Sequence, residues 1–148
     1  MRRYYCLILL IVAMISSCAS NSNIIENLDR AAEIMNEKPD SAKLVLDGIK
    51  RSELKSRALK ARFALLYSQA MDKCYIDTDN DSLISVALKY YSKHGTDHEK
   101  ALAYYYESVV HCNAKNIEAQ IKALLVAQKY IEKTDDEYIR GLIYHRLA

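Results

Sequence analysis

The sequence predicts an all-α fold, a right-handed α-solenoid of helical hairpins, preceded by a short exported leader. Three observations lead there. The 148 residues include only 3 Gly and 1 Pro, too few turn formers for a sandwich or barrel. Apolar residues from Ile24 onward recur at helical spacing and do not alternate. Similar segments return at intervals of about forty residues, the period expected of stacked helix pairs.

The leader comes first. Met1-Arg2-Arg3 is a short positive stretch, and Tyr4 to Ile15 is apolar and uncharged. That order fits a secretory signal, and the run falls short of the roughly 20 residues a membrane span needs. Ile15-Ser16-Ser17-Cys18 follows. This string resembles the bacterial lipobox, an aliphatic residue, two small residues and a cysteine. The resemblance implies that residues 1–17 are a signal peptide and that the Cys18 thiol carries a diacylglycerol. Several acyl chains on one residue anchor stably where one alone is marginal. Residues 18–23 read as a small, polar tether, and their lack of acidic residues points to a periplasm-facing protein in the cell envelope.

Residues 24–148 carry the repeats. A first helix runs from near Ile24 to Pro39. Asp40 or Ser41 caps a second, which stops near Gly48 to Lys50. The third, between Leu54 and Cys74, has two stripes: Leu54, Ala58, Ala61, Leu65 and Leu59, Phe63, Leu66, Ala70. Two stripes predict burial against neighbours on both sides. Asp79 to Asp81 opens a fourth helix, with Gly95 as a left-handed cap at its end. Thr96 or Asp97 opens a fifth. The turn from Asn113 to Asn116 leads to a sixth, with Ile117, Ile121, Leu124, Leu125 and Ile131 on its apolar side. Thr134 to Asp136 opens a seventh. Phe63, Tyr104 and Tyr144 are matched as equivalent positions, 41 and 40 residues apart. On that register Tyr104 packs inward and Tyr105 faces a concave groove. Tyr105, Val109, Cys112, Asn113, Ser68 and Met71 are the candidate groove residues. Ile139, Leu142, Ile143 and Leu147 make the last helix apolar, so the array is expected to continue beyond Ala148 or to be covered by another protein.

The segment from Ala101 to Lys133 resembles a tetratricopeptide repeat, with Tyr104 as first aromatic, Ser108 as the small residue, and Leu124 and Ala127 in the second helix. It departs from the pattern at Glu107, His111 and Gln120, and its period exceeds the family's 34 residues. The strings EKALAYYY, AMDKCYID and SVALKYYSKHG make the chain similar to tetratricopeptide-repeat lipoproteins of the Bacteroidota. The resemblance implies an envelope-anchored scaffold that binds a protein or peptide. It also leaves open the sensory part of a larger membrane signalling or transcription-regulatory protein.

Other chemistry finds little support. Removing Arg2 and Arg3 with the leader leaves 19 basic against 19 acidic residues, so no general attraction to nucleic acid is expected. Asp77-Thr78-Asp79-Asn80-Asp81 imitates the start of a calcium loop, but Ser82 and Leu88 stand where Gly and Glu are needed. Helix capping explains these acids. His94, His98, His111 and Cys112 lack metal-ligand spacing. Cys74 and Cys112 suit either buried thiols or an exported disulfide. No nucleophile elbow, metalloprotease helix or paired glycine loop occurs. Neither an enzyme, a cofactor, a metal nor a small-molecule substrate is expected.

Overall fold

A computed structural model describes residues 22–148, so the leader, Cys18 and most of the tether lie outside the described residues. Those described form helices joined by short turns, with no strand among them. A helix α1 covers residues 22–34, and it therefore takes in Ser22 and Asn23 from the expected tether. It is followed by α2 (Pro39–Asp47), a one-turn 3-10 helix (Arg51–Glu53) and α3 (Arg57–Lys73). Then come α4 (Ser82–His94), α5 (Asp97–Asn113), α6 (Ile117–Ile131) and α7 (Glu137–Leu147).

The helix starts follow the capping chemistry. Ser56, Thr96 and Asp136 precede α3, α5 and α7, and each side chain accepts the backbone N–H three residues on. Glu99 completes a capping box with Thr96. These three caps fall forty residues apart. The α2 start is a correction: Lys38 occupies the N-cap with no side-chain bond, and Pro39 sits in the first turn. Its fixed φ and missing N–H suit that position, so Pro39 begins α2, whereas α1 has already ended at residue 34.

The helix ends correct a second expectation. Gly95 has φ −79° and ψ 156°, extended and not left-handed. Glycine is needed there for space, since a Cβ would lie 2.9 Å from the Tyr91 carbonyl oxygen and 3.0 Å from its side chain. The left-handed caps are Tyr75 and Lys115, at φ 56° and 57°. After α3, the N–H groups of Tyr75 and Ile76 donate to the carbonyls of Asp72 and Met71; after α5, those of Lys115 and Asn116 donate to Cys112 and His111. Both ends are thus Schellman motifs, built on residues that pay a steric penalty for the conformation.

Two apolar clusters share α3. Leu28, Met35, Leu46 and Leu54 pack against Phe63, Leu66 and Ala70 on one face. Ala61, Ala64 and Leu65 on the other join Ile84, Tyr91, Tyr105, Tyr106, Leu124, Ile131 and Ile143. The two-sided burial expected of this helix is present, although Ala58 is exposed and Leu54 joins the opposite cluster. In α6 the apolar side divides. Leu124, Ala127 and Ile131 are fully buried, whereas Ile117, Ile121 and Leu125 are 67%, 45% and 52% exposed. In α7, Ile139 and Ile143 are buried in the larger cluster and Leu142 and Leu147 are half-buried against it.

Candidate partner-binding cleft

The C-terminal halves of α3 and α5 lie beside α7 and enclose a cleft. Its larger lobe, about 550 Å³, is bounded by Asp72 and Lys73 of α3, Tyr105, Tyr106 and Asn113 of α5, and Tyr138 and Arg146 of α7. A smaller lobe of about 200 Å³ reaches Ser68, Met71 and the α3–α4 loop. Asp72, Tyr106, Val109 and Asn113 border both lobes. The Asn113 side-chain amide donates to the Thr78 carbonyl at 3.2 Å, which ties the loop to α5.

Five of the six candidate groove residues therefore line one cleft: Ser68, Met71, Tyr105, Val109 and Asn113. Cys112 is exposed and borders neither lobe. It and the half-buried Cys74 are free thiols.

Tyr105 is the more deeply buried of the pair, a correction to its expected place on the groove surface. Tyr105 is 2% exposed and packs edge-on against Tyr106, whereas Tyr104 is half-buried and stacks on Tyr130. The spacing of the three caps differs by one residue from the expected alignment of Phe63, Tyr104 and Tyr144. The caps align Phe63 with Ala103 and Ile143, all buried, not with Tyr104 and the exposed Tyr144. One helical residue is about 100° of rotation, enough to exchange a core position with a flank. Tyr105 still reaches the cleft because its hydroxyl sits at the cleft wall.

Charge is concentrated on that wall. Arg146 Nε donates to the Tyr105 hydroxyl at 3.1 Å, and its guanidinium stands 3.5 Å from Asp72. Burial pushes the Asp72 carboxyl above its usual range, while Arg146 and Lys73 pull it back. Burial likewise raises the Tyr105 phenol, against the pull of Arg146. Lys73 donates to the Tyr138 hydroxyl at 3.3 Å and lies over its ring. At the rim, Tyr75 is 93% exposed and Tyr138 is 56% exposed. The Schellman motif that ends α3 holds Tyr75 in the left-handed region with its ring in solvent.

Asp72, Arg146, Tyr75 and Tyr138 were not among the expected groove residues. Asp72 and Arg146 meet across 74 positions of sequence, which no local pattern foretells. Tyr75 had a signal, since it stands forty residues before Lys115 and follows α3 as Lys115 follows α5.

The remaining polar candidates have local partners. His98 pairs with Asp136 at 2.9 Å, His111 lies 3.9 Å from Glu107, and His94 packs on the Tyr90 ring. In the acidic loop, Asn80 Oδ1 accepts the Ser82 N–H, while Asp81 makes no side-chain cap bond. No helix among the described residues is long and apolar enough to cross a membrane. Set against family models, curated proteins and solved structures, the chain matches none of them.

Proposed function

We propose that this chain is a lipid-anchored helical-repeat scaffold of the bacterial envelope, and that its cleft receives an extended segment of a partner protein. The observation that carries this reading is the cleft between α3, α5 and α7, with two exposed tyrosines at its rim and charged groups on its wall. Aromatic rings provide contact area at low entropic cost, and the Arg, Lys, Asp and Asn groups suit the amides and charges of a peptide. The tetratricopeptide-like, right-handed solenoid arrangement belongs to the same proposal. Support for it comes from the forty-residue spacing of the caps Ser56, Thr96 and Asp136, of the left-handed residues Tyr75 and Lys115, and of the buried serines Ser68 and Ser108. Lipidation at Cys18 rests on the lipobox-like string alone.

Two experiments test this reading. A photoreactive amino acid at position 75 or 138 should give the same discrete protein adduct in living cells, and none from position 44 on α2, where Leu44 is 71% exposed. Adducts from all three positions alike, or from none, contradict a cleft-directed partner. Cys18→Ser should move the protein out of the membrane fraction and abolish lipid labelling. Unchanged attachment and labelling would refute the anchor.

A further inference from the structure

A formal net charge of only +2 conceals a local excess. Residues 50–62 hold six Lys or Arg and a single acid, Glu53. Of these cations, Arg62 pairs with Asp29. Arg57 and Lys60, at the start of α3, point with Lys89 and Lys93 of α4 into a hollow of about 440 Å³ that also contains Val86 and Tyr90. All four cations are exposed. None forms an ion pair with a carboxylate among the described residues. Unpaired cations around an aromatic ring and a small apolar floor suit a phosphate-bearing surface whose interior is greasy.

The position of this edge selects among anions. Asn23 and Ile24 of α1 share a recess with Ile49 and Lys50. Arg51, Lys60 and Val86 border the next hollow, and Lys60 and Val86 also border the cationic one. The basic strip therefore runs from the start of α1 to the end of α4. Cys18 is four residues before Ser22, a reach of at most ~14 Å even fully extended. A chain anchored at Cys18 holds the near end of this strip at the bilayer.

We propose that this edge, formed by Arg57, Lys60, Lys89 and Lys93 with Tyr90, docks on anionic phospholipid headgroups and lays the anchored domain against the membrane in one orientation. The inference uses the lipid-anchor reading for its geometry. The basic surface itself is a separate observation.

The test is amine footprinting of the lipidated full chain on two kinds of vesicle, phosphatidylcholine alone and phosphatidylcholine mixed with phosphatidylglycerol. Labelling of Lys60, Lys89 and Lys93 should fall severalfold on the anionic vesicles and recover in high salt. Lys122 and Lys129, exposed on α6, should label equally on both. The quadruple variant Arg57→Gln/Lys60→Gln/Lys89→Gln/Lys93→Gln changes only exposed residues. It should fold normally and lose salt-sensitive retention on anionic vesicles by at least tenfold, since each such charge contributes roughly fivefold. Equal labelling on both vesicles overturns the proposal. So does equal protection by inorganic phosphate, or by a soluble acidic polypeptide, without vesicles. Flotation on neutral vesicles reports the anchor by itself. If it fails while protection on anionic vesicles persists, lipidation is refuted and the docking surface stands. If flotation succeeds with equal labelling, the anchor stands and the surface is refuted.

Discussion

The two apolar clusters on either side of α3 are built from different materials. The N-terminal one is aliphatic, with Phe63 as its buried aromatic. The C-terminal one buries Tyr91, Tyr105 and Tyr106, with Tyr90, Tyr104 and Tyr130 packed against it. A phenylalanine or leucine needs only space, whereas a buried tyrosine must deliver its hydroxyl to a polar partner or to water. Tyr105 meets this need with Arg146, and Arg146 then stands beside Asp72 in the cleft. In the C-terminal half, core and cleft therefore share side chains. In the N-terminal half no buried member of the cluster borders the cleft, and the half-buried Tyr67, which donates its hydroxyl to Asp47, reaches the smaller lobe from its flank.

The largest effects test this division. Phe63→Ala and Tyr106→Ala should each cost about 3–5 kcal/mol in denaturant melts. Only Tyr106→Ala should also reduce adduct formation from a photoreactive residue at position 75, when both variants are assayed under conditions where they remain folded. Equal losses of adduct would mean that the two halves are not separable. Next, Gly95→Ala should cost about 1–3 kcal/mol by forcing a Cβ against Tyr91. Gly141→Ala, where a Cβ meets nothing within 4 Å, should stabilise α7 by about 0.5–1 kcal/mol. Thermal melts of the pair check the opposite signs.

Tyr75→Gly and Lys115→Gly should each stabilise by about 1 kcal/mol through relief of the left-handed strain. Only Tyr75→Gly should weaken partner capture. The smallest effect concerns pH. The Asp47 carboxyl is held below its usual value by its bonds from Lys43 and Tyr67, so its stabilisation is present above pH 3.8 and is lost as pH falls through the lower folded value. Asp72 has the opposite sign. Its raised value means that stability falls as pH rises from 3.8 through the folded value, as a half-buried carboxyl is forced to ionise. Acid titrations should therefore lose one limb in Asp47→Asn and the other in Asp72→Asn.

Helix existence was legible in the sequence because caps and apolar spacing are local. Thr96, Asn116 and Asp136 are found where the capping rule puts them. The register was harder to read. Three successive tyrosines at 104–106 offered several ways to align helices, and the bulkiest match was one residue off. The caps were the better ruler, since each is tied to a backbone N–H while a large side chain can fill either flank of a helix. Ser68, Met71, Val109 and Asn113 border the cleft from the C-terminal halves of α3 and α5. Asp72 and Arg146 were not found, because their pairing exists only once α3 and α7 are brought together.

The proposed forty-residue register is tested most directly at Tyr104 and Tyr105. Paired denaturant melts of Tyr104→Ala and Tyr105→Ala should give a loss of about 3 kcal/mol or more for Tyr105 and about 1.5 kcal/mol or less for the half-buried Tyr104. The opposite ranking would restore the alignment of Phe63 with Tyr104 and contradict both the core and the cleft described here.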